Sequence, residues 1–157
     1  MLTTAFLFIS YITLAASPAE DRTAQIVAAP DSPVRLDSAK VLNTGSDPLV
    51  LLYAATNTSD APIDQFTVMV FVFDSEGRLK ARQVAPGRHE LRVRETKYSA
   101  MVLDVGKIDP TDTLMAGVDQ AQRVGSEDWW RADLRAIAEA AADARRGAAK
   151  SSNRERR

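Results

Sequence analysis

The 157-residue sequence predicts a mainly β fold, an antiparallel sandwich of about seven strands followed by one C-terminal α-helix. Three observations lead there. From Val34 to Val124, short apolar stretches rich in Val, Leu, Phe and Tyr recur between turn clusters. One of them, Phe66–Phe73, is apolar at nearly every position rather than at alternate ones, so both of its faces need cover. An Ala-rich stretch from Ser126 to Arg146 then changes to helical periodicity. Composition agrees: with 45% hydrophobic and 26% charged residues the chain is globular, and its length suits one domain.

Taken in order, Leu2–Ala16 carries no charge and many large apolar side chains. It is shorter than the roughly 20 residues a membrane span needs. Followed by the small residues Ala15, Ala16, Ser17 and Ala19, it reads as a secretory signal peptide over residues 1–19, although no Lys or Arg precedes the apolar run. A retained membrane anchor is the alternative, and a core strand the third reading. The signal reading places the chain outside the cytoplasm, periplasmic or secreted. Residues 20–33, with Pro30 and Pro33, read as an extended linker, because proline interrupts periodic structure.

The sandwich is expected over residues 34–124. Its strands are Ala39–Leu42, Leu49–Thr56, Phe66–Phe73, Leu79–Ala85, Leu91–Val93, Tyr98–Val105 and Thr113–Gln122. The breaks between them hold Gly, Pro, Asn, Asp and Ser, which supply turn conformations or local hydrogen bonds. Strands of this number and spacing point to an immunoglobulin-like sandwich, without the Cys–Trp–Cys hallmark of antibody domains. In Phe66–Phe73, residues 66, 68, 70 and 72 face one way and 69, 71 and 73 the other. The strand therefore belongs mid-sheet with a second layer over it.

The cover is expected from a helix over residues 126–146, with Ser126 as N-cap, Glu127 and Asp128 in the first turn, and Gly147 as the stop. Trp130, Leu134, Ile137 and Ala141 form its apolar stripe. That stripe suits its own sheet, a partner, or a lipid surface. Residues 147–157 read as a disordered basic tail. Six bases and one acid from Arg145 onward give the tail +5, so a net charge of -1 leaves -6 for the rest. An acidic body with a basic tail is not a general nucleic-acid binder, although the tail alone suits an anionic surface.

Composition also removes chemistries. With no cysteine there are no disulfides, thiolate metal sites or cysteine nucleophiles, and the single histidine, His89, rules out multi-histidine metal sites. No nucleophile elbow, phosphate loop or 12-residue calcium loop occurs. The acidic pairs sit in turns, and His89 follows a Pro86-Gly87 turn. Asn57-Thr58-Ser59 matches a glycosylation acceptor, for which a turn role is sufficient explanation. Two basic stripes stand out: Arg78, Lys80 and Arg82 on one strand, Arg92 and Arg94 on another. Joined in register they form a cationic patch; a two-residue turn at Pro86-Gly87 would instead set them on opposite faces. Bases on edge strands also serve to block strand association. The binding residues expected are these five, followed by Trp129 and Trp130.

The segment Ala55–Met101, with Asn57-Thr-Ser-Asp-Ala-Pro62 after a strand, a long strand into Asp74-Ser-Glu-Gly77, and Arg94-Glu-Thr leading into Tyr98-Ser-Ala-Met-Val102, resembles the small bacterial extracytoplasmic immunoglobulin-like domains of the FxLYD type. The name motif aligns with Val70-Phe-Val-Phe-Asp74; Asp74 is identical, and Val70, Val72 and Phe73 are conservative departures. Arg94-Glu95 stands where Pro-Gly-Glu is typical. The resemblance implies a location outside the cytoplasm and an accessory or binding role, with no catalytic residues to carry over. The expected function is thus a non-catalytic binding or assembly module without cofactor or metal. Its partner is a protein or an anionic envelope component, with transient membrane contact through either terminus. Two alternatives stand beside it: a structural subunit whose C-terminal helix docks into another chain, and a protein held at the membrane by an uncleaved anchor.

Overall fold

The computed structural model describes residues 21–43, 48–85 and 90–155. The expected signal peptide, Pro86, Gly87 and His89 lie outside the described residues. The elements are β1 (Arg22–Thr23), β2 (Gln25–Ile26), β3 (Val34–Leu42), β4 (Leu49–Asn57), β5 (Ile63–Phe73), β6 (Leu79–Val84), β7 (Thr96–Leu103), β8 (Thr113–Arg123), β9 (Trp129–Arg131) and α1 (Leu134–Glu155). They form the predicted β-sandwich with a C-terminal helix. One sheet has the order β1-β3-β4-β7 and the other β2-β8-β5-β6, with β9 also on β8.

β5 behaves as its two-sided apolar sequence requires. Phe66, Val68, Val70 and Val72 point between the sheets, where they meet Leu36, Val41, Leu51, Tyr53 and Leu103. Met69, Phe71 and Phe73 point outward into a second core with Val27, Ala29, Met115 and the α1 residues Leu134, Ala138 and Ala142. The i, i+4, i+8 spacing of those three puts them on one helix face, and the two alanines let α1 sit close to the sheet. Phe71 and Phe73 stack with ring centroids 6.2 Å apart. The helix therefore covers its own sheet, one of the three roles its stripe allowed.

Gly117 on β8 makes the closest approach. A Cβ there would lie 2.4 Å from the Val27 carbonyl oxygen and 2.9 and 3.0 Å from the two Leu134 methyls. Only glycine lets the chain after β2 and the start of α1 both rest on β8 at this point. Asn57 has the opposite character, a buried amide with all its groups satisfied. It donates to the Ala61 and Leu91 carbonyls and accepts from the Ser59 amide and hydroxyl. It shapes the β4–β5 turn, and its burial (0% exposed) closes it to sugar attachment.

Several expectations are corrected. The described part of the expected linker, residues 21–33, is not an extended lead-in: β1 pairs with β3, β2 runs parallel to β8, and Ala24, Val27 and Ala29 are buried. The segment crosses from one sheet to the other within five residues and stitches their edges. The helix starts at Leu134, not Ser126, with Asp133 as the cap: its carboxylate accepts from the Ala136 N–H at 3.1 Å. Trp129 and Trp130 lie instead on β9, opposite Gln122 and Ala121, where the aromatic pair suits a strand and covers the free edge of β8. Gly147 does not stop the helix, which runs through it to Glu155, so residues 147–155 of the expected tail are helical. One interior glycine costs only about 1 kcal/mol. Leu91–Val93 is not a strand: Leu91 makes a single bridge to Ile63, and a turn follows, closed by the Glu95 N–H on the Arg92 carbonyl.

Candidate functional site

The basic stripes do not combine. Leu79 pairs opposite Phe73 and Leu91 opposite Ile63, the two ends of β5. Ten residues of strand separate them, about 33 Å. Arg92 and Arg94 sit in the turn before β7 rather than alternating along a strand, and Arg94 has φ 63° with its guanidinium on the Thr58 carbonyl. Arg82 pairs with Phe71 and Leu91 bridges to Ile63, so Arg82 does not face Leu91 as the two-residue turn considered in the sequence would require.

The charges of the first stripe are also largely matched. Asp74 closes the β5–β6 turn by accepting from the Glu76 and Arg78 N–H groups, each at 2.9 Å, and from Arg78 Nε at 2.8 Å. The Arg78 backbone and side chain hold the Asp74 carboxyl below its ordinary range. Lys80 Nζ lies 2.6 Å from Asp112 and 2.9 Å from Asp109. Asp112 is buried, accepts from the Asp109 N–H as well, and its carbonyl receives Arg22. Arg22 also donates to the Asp109 carbonyl at 2.8 Å. Lys80 and Arg22 thus pin the loop before β8 to β6 and β1. The β5–β6 register shifts between Val72 and Phe73, with Lys80 as the extra residue, which breaks the alternation that would place it beside Arg82. Burial pushes the Asp119 carboxyl up, against the pull of the Arg131 and Arg82 cations.

The second pair of expected residues has a more open setting. Trp129 and Trp130 are half-buried and line a recess of about 290 Å³ together with Asp31, Pro33, Ala121, Arg123, Ser126 and Asp128. Trp130 also packs against both cores, so the strand that carries the indoles is anchored. Ser126 Oγ accepts from the Asp128 N–H at 3.1 Å, and the Ser126 carbonyl accepts from Gln122 at 2.8 Å, which fixes the β8–β9 turn. Arg123 faces Asp60 at 3.9 Å and is more than half exposed. Asp31, at φ 56°, forms the opposite wall; aspartate is among the few residues that tolerate that conformation. Beyond Asp31 a second recess of about 220 Å³ runs along Ile26–Ala29 to Arg35 and Thr58.

Sequence reasoning named the two tryptophans but not Asp31, Pro33 or Arg123. Asp31-Ser32-Pro33 does carry a turn signal, which lay within the stretch read as a linker. Among the described residues, no group of three or more His, Asp or Glu is placed to hold a metal ion, and no helix is long and apolar enough to cross a membrane. No protein-family model, curated protein or solved structure matches this chain.

Proposed function

We propose that the chain is a non-catalytic extracytoplasmic binding or assembly module that receives a protein partner at the Trp129–Trp130 recess. The observation that carries this reading is two indoles held half-buried on an anchored strand beside an open recess rimmed by Arg123, Asp31 and Asp128. Large aromatic anchors with a polar rim are the usual composition of a binding hot spot. The pairing of Arg78 and Lys80 with carboxylates favours this recess over the basic stripe as the docking surface. α1 lays its apolar stripe on its own sheet, which argues against that helix as the element docking into another chain. The extracytoplasmic location rests on Leu2–Ala16, and the FxLYD resemblance agrees with an accessory role.

Affinity capture from an envelope extract tests the proposal. Trp129→Ala is expected to lose the captured partner, because truncating an interface tryptophan costs about 2 kcal/mol or more, roughly thirtyfold in affinity. A chain with Arg82→Ser and Arg92→Ser is expected to keep it. Capture that survives Trp129→Ala but fails in the arginine variant, with a steep dependence on salt, would transfer the site to the basic residues.

A further inference from the structure

The recess beside Trp129 and Trp130 has an apolar floor and an acidic rim. Ala121 and Pro33 are buried at its base, and the two indoles are half-buried beside them. Asp31 and Asp128 are exposed at its mouth. Among the described residues no ion pair or hydrogen bond engages either carboxylate; the Asp128 bond to Ser126 uses the backbone N–H. Arg123, the cation of the described lining, already faces Asp60 at 3.9 Å. Two unmatched negative charges are left at the mouth.

Charge and shape together select an occupant. An anion would meet both carboxylates. An uncharged apolar side chain would take water from them and return no partner. A lysine or arginine side chain satisfies both layers: its methylene stem lies on apolar surface while its charged head stays at the wet rim. Indole is the aromatic ring that attracts cations most strongly. At about 290 Å³ the recess is small for a drug-sized ligand and has room for one long side chain. We propose that the Trp129–Trp130 recess takes a basic side chain, Lys or Arg, from the protein partner, with Asp31 and Asp128 pairing its charge. This rests on the recess being the docking surface.

Trp129 and Trp130 are the chain's only tryptophans, so indole fluorescence reports on this recess alone. Titration with the blocked peptide Gly-Gly-Lys-Gly-Gly at constant ionic strength is expected to shift the emission saturably, at about millimolar concentration. The same peptide with uncharged norleucine in place of lysine should bind at least about tenfold more weakly. Asp31→Asn with Asp128→Asn should weaken the lysine peptide by about tenfold. Asparagine keeps the shape of aspartate and tolerates the φ of 56° at position 31, so the emission of the free variant and its urea midpoint should not change.

No shift with the lysine peptide would overturn the proposal. So would equal affinity for the norleucine peptide, or full affinity in the double variant. A shift produced by phosphatidylcholine vesicles and not by the lysine peptide would overturn it in favour of a choline head group. Capture from the envelope extract separates this proposal from the reading beneath it. A partner lost with Trp129→Ala but fully kept by the double variant, and kept in about 0.5 M salt, would overturn the basic side chain and leave the recess as the docking surface. A partner kept by Trp129→Ala would overturn the recess itself.

Discussion

A chain ending at Asp133 is expected not to fold. Removing α1 takes Leu134, Ala138 and Ala142 away from Phe71, Phe73 and Met115, three large side chains that are fully buried in the whole chain. Uncovering each costs about 1.5–3 kcal/mol. The sum approaches the 5–15 kcal/mol that typically holds an entire domain together. The truncated chain should lose its near-ultraviolet circular dichroism and elute as unfolded or aggregated material. A truncated chain that stays monomeric, with a cooperative denaturant transition of unchanged midpoint, would mean that α1 is not the cover.

Phe66→Ala and Phe71→Ala are expected to cost about the same, roughly 3–5 kcal/mol each. Their side chains point in opposite directions from one strand, Phe66 between the sheets and Phe71 under the helix, and both are fully buried. In a domain of this size that loss lowers the melting temperature by about 10 °C. Equilibrium urea unfolding measures both variants directly. A large loss for Phe66→Ala beside a small one for Phe71→Ala would make the outer layer a loose attachment rather than part of the core.

The architecture was legible where one residue pattern admits one solution. Phe66–Phe73 is too apolar for a strand with a wet face, and the Ala-rich stretch near the C-terminus is the cover that follows it in the chain. Other elements depend on distant partners. β1 and β2 are two residues each, too short for periodicity, and they exist because the edges of β3 and β8 receive them. Ser126, Glu127 and Asp128 have the composition of a helix start, yet Trp129–Arg131 gains more from closing the edge of β8, and Asp133 caps the helix instead. The basic stripe failed for the same reason. Nothing local marks Asp109 and Asp112, 29 and 32 positions beyond Lys80, as its partners, and a bulge at Lys80 undoes the alternation on which the stripe rested. The tryptophans were legible as large exposed-or-interface residues, whereas the far wall of their recess comes from Asp31 and Pro33, almost a hundred residues earlier.

The central claim is that β5 is enclosed on both faces, by the opposite sheet and by α1. Thiol labelling of two single variants, Met69→Cys and Val70→Cys, tests it most directly, because these neighbours point into different layers and the chain has no other cysteine. Both thiols are expected to react with an aqueous reagent only as fast as the whole domain unfolds, with the same dependence on urea. Rapid labelling at position 69 in the native protein, with position 70 protected, would show the helix side open to water and contradict the two-layered core.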